Sequence, residues 1–477
     1  MSKERPNILF LFDDQHNASC LGYAGHPLVK TPNLDALARK GASFNNMFSC
    51  SGICCPSRTS YFTGTYVRTH GHAQNDGDLA SPMPSILTEL GKVGYTRRLS
   101  GKNHLPHAIS KDFDVMRTMT SHNKLLQEKG IKDQPPAPWH QYFHSACWPH
   151  DEAMHRGVWT AQQTIDFLDS DSSGEEPFFI WTSFNPPHSP HMPPASLDDM
   201  YRPEDIPVDW EAYYHFEQGK LQNRPMIEDF WKVGSVRHDI SIFQKAVCRY
   251  LALITLVDRE IGRILESLEK NGLAEDTLVI FGSDHGDFAG NYGQLGKNLP
   301  AYDDIIRIPF IYYDPYTLYY GRVIEGMFQN VDLMPTLLER LGLPIPPTVQ
   351  GISFLPALAG QPGSYRNEVY SETSMEKTIR TPEWKLTFFV RHPNKGQLFK
   401  MSPQVNELDN HWDDPQYRHV RMELMERLMT WMTTCEQPDS MCHTWEEYID
   451  TRWYNWLAKD NKWQAYPEPP FENEPLS

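Results

Sequence analysis

Chemically active residues follow two apolar, strand-like segments that lie far apart in the chain. Asp13 and Asp14 come directly after the first apolar run, and Asp284 and His285 follow a later one. In sheets of parallel strands, ligands gather where the strands end, so we expect the two pairs to share one site. Carboxylate oxygens suit a hard cation, and Ca²⁺ suits them better than Zn²⁺. A single Asp-Asp pair is often only a turn or a helix cap, but recurrence at two strand ends favours a metal site.

A segment with two adjacent cysteines offers a nucleophile. Residues 54–64 read Cys-Cys-Pro-Ser-Arg-Thr-Ser-Tyr-Phe-Thr-Gly. This segment resembles the type I sulfatase signature, in which Cys-x-Pro-Ser-Arg is followed, after three residues, by Leu-Thr-Gly. The Pro-Ser-Arg triplet sets the register, so Cys54 occupies the modified position and Cys55 the variable one, while Phe62 stands where leucine is usual. On the motif alone, a buried cysteine pair at the start of a helix is the plainer interpretation.

The resemblance to the formylglycine-dependent sulfatases, a family of the alkaline phosphatase superfamily, implies a particular chemistry at Cys54. In that family a maturation enzyme oxidises the cysteine to formylglycine, whose hydrate attacks sulfur while it is held on a divalent metal ion. Many members carry asparagine where His285 stands, so His285 either ligates the ion or only contacts the nucleophile. The implied ion is Ca²⁺, and the implied ligands are Asp13, Asp14, Cys54 as formylglycine, Asp284 and His285.

Basic residues follow further strand-like segments and match other catalytic positions of the family. Lys102 and His104 stand in Gly-Lys-x-His, His188 stands in Pro-His, and Lys297 follows a glycine. A single Lys or His in such a loop is more often a solvated surface residue, but their joint placement favours a site. The resemblance implies that Lys102, Lys297 and Arg58 neutralise the ester. It also implies that His188 assists the leaving alcohol and that His104 takes the proton of the second hydroxyl.

Strand-like and helix-like patterns alternate along the first three-quarters of the chain. Apolar runs rich in β-branched and aromatic residues mark the strands, and helical periodicity marks the helices. This alternation predicts an α/β fold in which a large, mixed, mostly parallel sheet is sandwiched by helices. The predicted strands are 7–12, 95–100, 177–184, 277–282 and 308–313, and the predicted helices are 33–41, 84–93, 155–169, 241–271 and 332–342.

The pattern changes after residues 360–365. A hairpin formed by 384–391 and 396–401, followed by an amphipathic helix over 413–434, predicts a smaller α+β domain. We therefore predict a catalytic domain at 1–369 and a C-terminal sheet-plus-helix domain at 370–477. The last 35 or so residues are rich in aromatic side chains, which either pack on the chain's own body or contact a neighbouring subunit. A homo-oligomer is therefore an open alternative.

Charge and hydropathy exclude several classes of partner. The formal net charge of -17 argues against a nucleic-acid or anionic-membrane surface. We find no stretch that is apolar for long enough to span a bilayer. The first apolar run is too short for a signal sequence and is followed by two aspartates, so it is interpreted as a strand. These features predict a cytoplasmic protein whose eight cysteines are mostly buried thiols.

The sequence favours one reaction and leaves two alternatives open. The predicted reaction is hydrolysis of a sulfate monoester on a carbohydrate or small alcohol, with a formylglycine-generating maturation enzyme as a partner. A phosphonate monoester or phosphodiester hydrolase could use the same site, since these substrates have similar charge and geometry. Asn75 matches a polar position on the leaving-group side in such hydrolases, although a loop hydrogen bond is equally open. A non-catalytic protein that binds sulfated glycans is the third interpretation.

Overall fold

The computed structural model describes residues 5–79, 81–132, 145–170, 176–218, 239–297, 301–317, 320–390, 392, 394–402 and 407–435. The aromatic-rich tail predicted at the C-terminus lies outside these residues. The strands are β1 (Asn7–Asp14), β2 (Ala42–Phe48), β3 (Thr96–Gly101), β4 (Val115–Thr118), β5 (Phe178–Pro187), β6 (Thr277–Ser283), β7 (Arg307–Ile308), β8 (Phe310–Tyr313), β9 (Arg322–Gln329), β10 (Val369–Glu372), β11 (Glu376–Arg380), β12 (Trp384–Phe389) and β13 (Gly396–Lys400).

Helices follow or separate these strands through the part of the chain that the structure describes. They are α1 (Pro32–Lys40), α2 (Cys54–Thr63), α3 (Val67–His70), α4 (Ile86–Lys92), α5 (His107–Ser110), α6 (Met119–Glu128), α7 (Arg156–Ser170), α8 (Ala195–Asp198), α9 (Trp210–Gln218), α10 (Ile240–Lys270), α11 (Asp303–Ile306), α12 (Leu333–Arg340), α13 (Leu355–Leu358) and α14 (Arg418–Thr434).

The main sheet is large, mixed and mostly parallel, as predicted. Its strand order over the described residues is β4-β3-β5-β1-β6-β8-β2-β7, with β9 paired to β2. Strand β1 lies between β5 and β6 and is parallel to both. Strand β8 is antiparallel to both β6 and β2, and β7 is antiparallel to β2. All eight residues of β1 are buried, which is the pattern expected of a central strand covered on both faces.

Two apolar layers cover the sheet, one on each face. Successive residues of β1 alternate between them, because side chains of a strand point to opposite faces. Phe10 and Phe12 join the layer that contains residues of α2, α4 and α12. Leu9 and Leu11 join the layer that contains residues of α1, α7 and α10. The sheet is therefore sandwiched by helices, which confirms the predicted architecture.

Helix α10 corrects one expectation from the sequence. By length and composition alone this 31-residue helix is apolar enough to cross a membrane, so the expectation that no stretch is long enough was wrong. About two-thirds of its most apolar window, 67%, is buried inside the protein. Its apolar residues belong to two of the core layers, and this packing accounts for its composition.

A second, smaller sheet follows the main one. Strands β10, β11, β12 and β13 pair in sequence order and are antiparallel throughout. The predicted hairpin is β12 and β13, and the predicted helix is α14, which begins at Arg418 rather than at 413 because the residues before it form turns and a short 3-10 segment. Leu424, Leu428 and Trp431 of α14 pack on this sheet. The boundary between 369 and 370 stays a prediction.

A buried ion cluster connects the two sheets. Lys385 on β12 donates to Asp303 Oδ1 on α11 at 3.1 Å and also pairs with Glu407. Burial lowers the pKa of Lys385 to about 8, an effect that Asp303 opposes. Because a charge that loses its partner in the interior is costly, this cluster couples the small sheet to the loop region beside the candidate site.

Candidate active site

The two residue pairs meet because their strands are neighbours. Strands β1 and β6 run parallel with Asp13 opposite Ser283. Both strands therefore end at the same edge of the sheet, which places Asp14 close to Asp284. Two backbone N–H groups, from Gln15 at 3.1 Å and His285 at 3.0 Å, donate to Asp284 Oδ1. The structure thus brings together the acidic strand ends that the sequence singled out.

Helix α2 places Cys54 at its first position, facing those strand ends. The thiol sulfur lies 2.9 Å from Lys297 Nζ, 3.3 Å from His285 Nε2 and 3.8 Å from Asp14 Oδ1. Burial by itself would raise the pKa of the Cys54 thiol, but the positive charges of Lys297 and Lys102 and the nearby His285 hold it well below its usual value. An anion or a polarised oxygen at this position is therefore strongly stabilised.

Arg58 lies one helical turn after Cys54 and therefore on the same side of α2. Its guanidinium is fully buried and donates to Asp284 Oδ2 and to Asp14 Oδ2, both at 2.8 Å. A third hydrogen bond reaches Ser183 Oγ at 2.9 Å. Burial lowers the pKa of Arg58, but Asp284 and Asp14 outweigh it and raise the pKa above its usual value. Arg58 is the charge that holds the two carboxylates together.

Strand β3 ends beside Asp14, and the residue that follows it, Lys102, contacts the same Asp14 oxygen as Arg58. Lys102 Nζ donates to Asp14 Oδ2 at 2.5 Å, and its backbone N–H donates to Ser183 O at 2.7 Å. The preceding Gly101 has a φ of 97°, and a Cβ there would lie 2.0 Å from Ser183 O. Only glycine fits this close approach of β3 to β5. Although burial opposes its charge, the pKa of Asp14 is lowered by Lys102, His188 and Arg58.

The two remaining histidines predicted for the site, His104 and His188, lie at the rim of this cluster. His188 Nδ1 lies 2.7 Å from Ser189 O, and because a carbonyl only accepts, this nitrogen carries the proton. His188 Nε2 therefore faces the site, 4.0 Å from Asp14 Oδ1. His104 is exposed, has a φ of 46°, and contributes a hydrogen bond that lowers the pKa of Cys54. The structure places His104 beside Cys54 and His188 beside Asp14.

Four of the five predicted metal ligands form one compact group. The ligand atoms of Asp14, Cys54, Asp284 and His285 lie within 4.8 Å of one another, and all four residues are buried. Asp13 turns toward His16, whose Nδ1 lies 2.6 Å from Asp13 Oδ2. The other oxygen of Asp13 is buried and has no hydrogen-bond partner. A buried carboxylate oxygen without a partner is unfavourable unless a cation supplies the missing contact, so this donor set fits a hard divalent ion.

Asn75 makes the loop contact that the sequence left open. Its Oδ1 accepts from the backbone N–H of Cys55 at 3.1 Å, in the first turn of α2. The first N–H groups of a helix have no partner within the helix, so Asn75 satisfies one of them. The side chain is exposed. A role in substrate binding stays a prediction.

Several residues that support the site were not singled out by the sequence. Ser183 lies within a predicted strand, where nothing in the sequence marks it as part of the site. In the structure it pairs with Phe12 of β1 and Gly101 of β3, and this position lets it reach Arg58. Ser57 donates from Oγ to Asp284 O at 2.6 Å, and Asn330 donates to Ser57 Oγ at 3.0 Å. Ser57 belongs to the Pro-Ser-Arg triplet, so the motif carried a signal for it. Asn330 is 273 residues away, and no local pattern marks it.

The fold and the site define a class of protein in which a buried cysteine lies between an acidic group that could hold a metal ion and several basic residues. A family model for Sulfatase matches residues 6–343, and one for N-sulphoglucosamine sulphohydrolase, C-terminal, matches residues 290–434. The first match covers well over half of the chain. The chain therefore belongs to the sulfatase family of the alkaline phosphatase superfamily and is a sulfuric ester hydrolase.

Individual relatives extend over nearly the whole chain. An arylsulfatase of Clostridium perfringens is 28% identical over 469 residues, covering 89% of this chain and 94% of the relative. An N-acetylglucosamine-6-O-sulfatase of Bacteroides thetaiotaomicron is 25% identical over 495 residues, covering 89% of this chain and 86% of the relative. The crystal structure of a phosphonate monoester hydrolase of Agrobacterium radiobacter has a TM-score of 0.79 at 23% identity, covering 90% of this chain and 96% of that one. This last likeness shows the fold.

Proposed function

We propose that this protein hydrolyses the sulfate monoester of a carbohydrate or small alcohol, using a formylglycine made from Cys54 and a bound Ca²⁺. The observation that carries the proposal is the convergence on Cys54 Sγ of Lys297 at 2.9 Å, His285 at 3.3 Å and Asp14 at 3.8 Å. The sulfur stands where the oxygens of a formylglycine hydrate would lie. A maturation enzyme and a cytoplasmic location are further parts of the proposal.

The formylglycine and the metal ion would supply the reactive groups, and side chains of the protein would hold and orient them. The formylglycine hydrate supplies the attacking hydroxyl, and the divalent ion supplies positive charge beside the ester. Asp14, Asp284 and His285, with the unpartnered oxygen of Asp13, would hold the ion. Oxygen ligands outnumber nitrogen in this set, which favours Ca²⁺ over Zn²⁺.

Lysines bind and orient the sulfate. Lys297 Nζ lies 2.9 Å from both Cys54 Sγ and His285 Nε2, so its ammonium would stand at the position where the ester meets residue 54. Lys102 stabilises the charged form of Asp14 and adds a second positive charge near residue 54. Groups fixed in this way before reaction stabilise developing negative charge without reorganising.

Histidines move protons at the two oxygens that change charge. His188 presents Nε2 to the site because its Nδ1–H is held by Ser189 O at 2.7 Å. In its imidazolium form it protonates the leaving alcohol oxygen through Nε2. His104, at the rim beside residue 54, accepts the proton of the second hydroxyl as sulfate leaves. The exposed position of His104 allows it to return this proton to solvent.

Paired substrates test the proposed reaction against its main alternative. The relative that acts on N-acetylglucosamine 6-O-sulfate supports a sulfated sugar for this chain. The phosphonate monoester hydrolase fold and His285 support the alternative. With matured protein, we expect kcat/KM for p-nitrophenyl sulfate to exceed that for p-nitrophenyl phenylphosphonate, and glucosamine sulfates to release sulfate. A higher kcat/KM for the phosphonate would make the alternative the correct function.

Metal removal has an expected effect on stability as well as on activity. Ca²⁺ at about 100 times its Kd should stabilise the folded state by about 2.7 kcal/mol, since it binds the folded site alone. Thermal unfolding in EDTA should therefore show a lower Tm, which Ca²⁺ restores. Asp14→Asn should abolish this response, whereas Asp258→Asn, at the buried cap of α1, should keep it. An equal Ca²⁺ response in both variants would contradict the site.

A further inference from the structure

Lys297 reaches the nucleophile from a strained loop. Residues 287–297 are named here the lysine loop. The loop begins shortly after Asp284 and His285, which follow β6, and it ends at Lys297. Phe288 N–H donates to Gly296 O at 3.0 Å and Gly290 N–H donates to Gln294 O at 2.9 Å, so the loop folds back on itself. The positive φ values in it are those of Ala289 at 52°, Gly290 at 103°, Tyr292 at 55°, Gly293 at 64° and Gly296 at 102°.

Two of those five residues are not glycine, so the loop conformation needs support. A non-glycine residue in the left-handed region costs on the order of 1 kcal/mol or more, and such residues persist where their surroundings fix them. Part of the lysine loop, Ala289 to Tyr292, borders a cavity of about 270 Å³. Asn291 donates to Asp304 Oδ1 at 2.8 Å and the Tyr292 ring packs on Phe288. The cavity leaves the rest of this side without close packing, so further contacts at the base of the loop are needed to fix its shape.

Asp287 provides those contacts at the base of the loop. Its carboxylate is fully buried, and Oδ1 accepts from Ala289 N–H at 2.7 Å and Gly296 N–H at 2.9 Å. The same oxygen therefore ties the first residues of the loop to the residue that precedes Lys297. Oδ2 accepts from Gln15 Nε2 at 2.6 Å.

Gln15 links this clamp to the strand ends that form the site. Its backbone N–H donates to Asp284 Oδ1 at 3.1 Å, and its carbonyl accepts from Tyr250 at 2.8 Å. Both oxygens of Asp287 are thus taken by N–H donors, which differs from the unpartnered oxygen of Asp13. The contacts of Asp287 suit a clamp rather than a metal ligand.

We propose that Asp287 is a positioning residue, whose buried carboxylate closes the base of the lysine loop and so holds Lys297 against residue 54 and the ester. The inference rests on the proposed use of Lys297 in the reaction. Asp287 acts through hydrogen-bond acceptance and not through its charge. Displacement of a positioned group by about 1 Å can cost on the order of 10²-fold in rate.

A double-mutant cycle tests whether Asp287 acts through Lys297. Asp287→Ala should lower kcat/KM for p-nitrophenyl sulfate by about 10²-fold in the matured enzyme. In a Lys297→Ala background the same change should cost less than about threefold, because residues that act through one another are not additive. Equal losses in both backgrounds, with Lys297→Ala itself impaired, would overturn the inference alone. No loss from Lys297→Ala would instead refute the proposed role of Lys297, and the inference with it.

Two controls separate positioning from charge and from general stability. Asp287→Asn keeps an Oδ1 acceptor for both loop amides, so it should stay within about tenfold of wild type. A loss as large as that of Asp287→Ala would show that charge matters and would overturn the inference. Asp258→Ala removes another buried carboxylate that accepts from two backbone amides, those of Asn33 and Leu34. It should reduce stability while leaving kcat/KM unchanged.

Hydrogen exchange gives a readout independent of activity. In Asp287→Ala, amides of the lysine loop should exchange faster with deuterium, while amides of β1 and β6 should exchange as in wild type. Asp258→Ala should leave exchange in the lysine loop unchanged. Unchanged exchange at Ala289 and Gly296 in Asp287→Ala would overturn the clamp directly.

Discussion

Replacement of Cys54 by alanine is expected to lower turnover of a sulfate ester by at least about 10⁴-fold, as loss of a nucleophile commonly does. Cys54 opens α2 with Lys297, His285 and Asp14 around its sulfur. Alanine has no atom to carry the attacking oxygen, and no other described side chain lies at that position. The measurement is kcat/KM for p-nitrophenyl sulfate in matured protein.

Cys55 supplies the matched control for this substitution. It is also buried in α2, but its thiol points to Asn75 O at 3.6 Å and burial raises its pKa to about 12. Cys55→Ala should therefore retain activity within a few-fold and unfold at a similar temperature. If Cys54→Ala kept a substantial share of wild-type turnover while Cys55→Ala lost it, the nucleophile would be assigned to the wrong cysteine.

Replacement of Arg58 by methionine is expected to be the most destabilising single change in the site. Arg58 is fully buried and bonds Asp14 and Asp284 at 2.8 Å each. Its loss leaves Asp14 with Lys102 as its ion-pair partner and Asp284 with backbone N–H donors, and breaking a buried ion pair typically costs about 3–5 kcal/mol. Urea unfolding in EDTA should show this loss, and activity should fall with it because both carboxylates belong to the metal group.

A surface ion pair and a conservative change control for Arg58. Arg202→Met removes an exposed pair with Asp205 and should leave the unfolding midpoint unchanged, since exposed pairs contribute little. Arg58→Lys keeps the charge but cannot direct separate N–H groups at both carboxylates, so it should lie between wild type and Arg58→Met. An Arg58→Met protein as stable as Arg202→Met would contradict the role of Arg58.

The fold was largely predictable because its central strands carry an uninterrupted apolar signal. Strand β1 is buried along its whole length, and the predicted strands and helices match observed ones within a few residues at each end. Strands β2 and β9 were not predicted. Asn45 and Asn46 interrupt β2, and Glu325 and Gly326 interrupt β9, because these strands are only partly covered. Their pairing with one another depends on contacts between residues at least 280 apart in sequence.

The residues of the site were more predictable than their contacts. Strand ends and the cysteine motif identified Cys54, Asp14 and Asp284 because parallel strands end at one edge of the sheet. The orientation of Asp13 toward His16 and the hydrogen bond of Asn75 to Cys55 depend on side-chain geometry that spacing does not determine. Lys297 was placed by motif, yet it reaches Cys54 on a positive-φ loop whose first residue, Asp287, bonds Gln15 from 272 residues away.

The mass of the peptide that contains residue 54 shows whether Cys54 is converted to formylglycine. Trypsin should release residues 41–58 from protein co-expressed with a formylglycine-generating enzyme. We expect the mass of an aldehyde in place of the Cys54 thiol, with Cys55 unmodified, in preparations that release sulfate. An intact thiol at Cys54 in a preparation that hydrolyses sulfate esters at full rate would contradict this expectation.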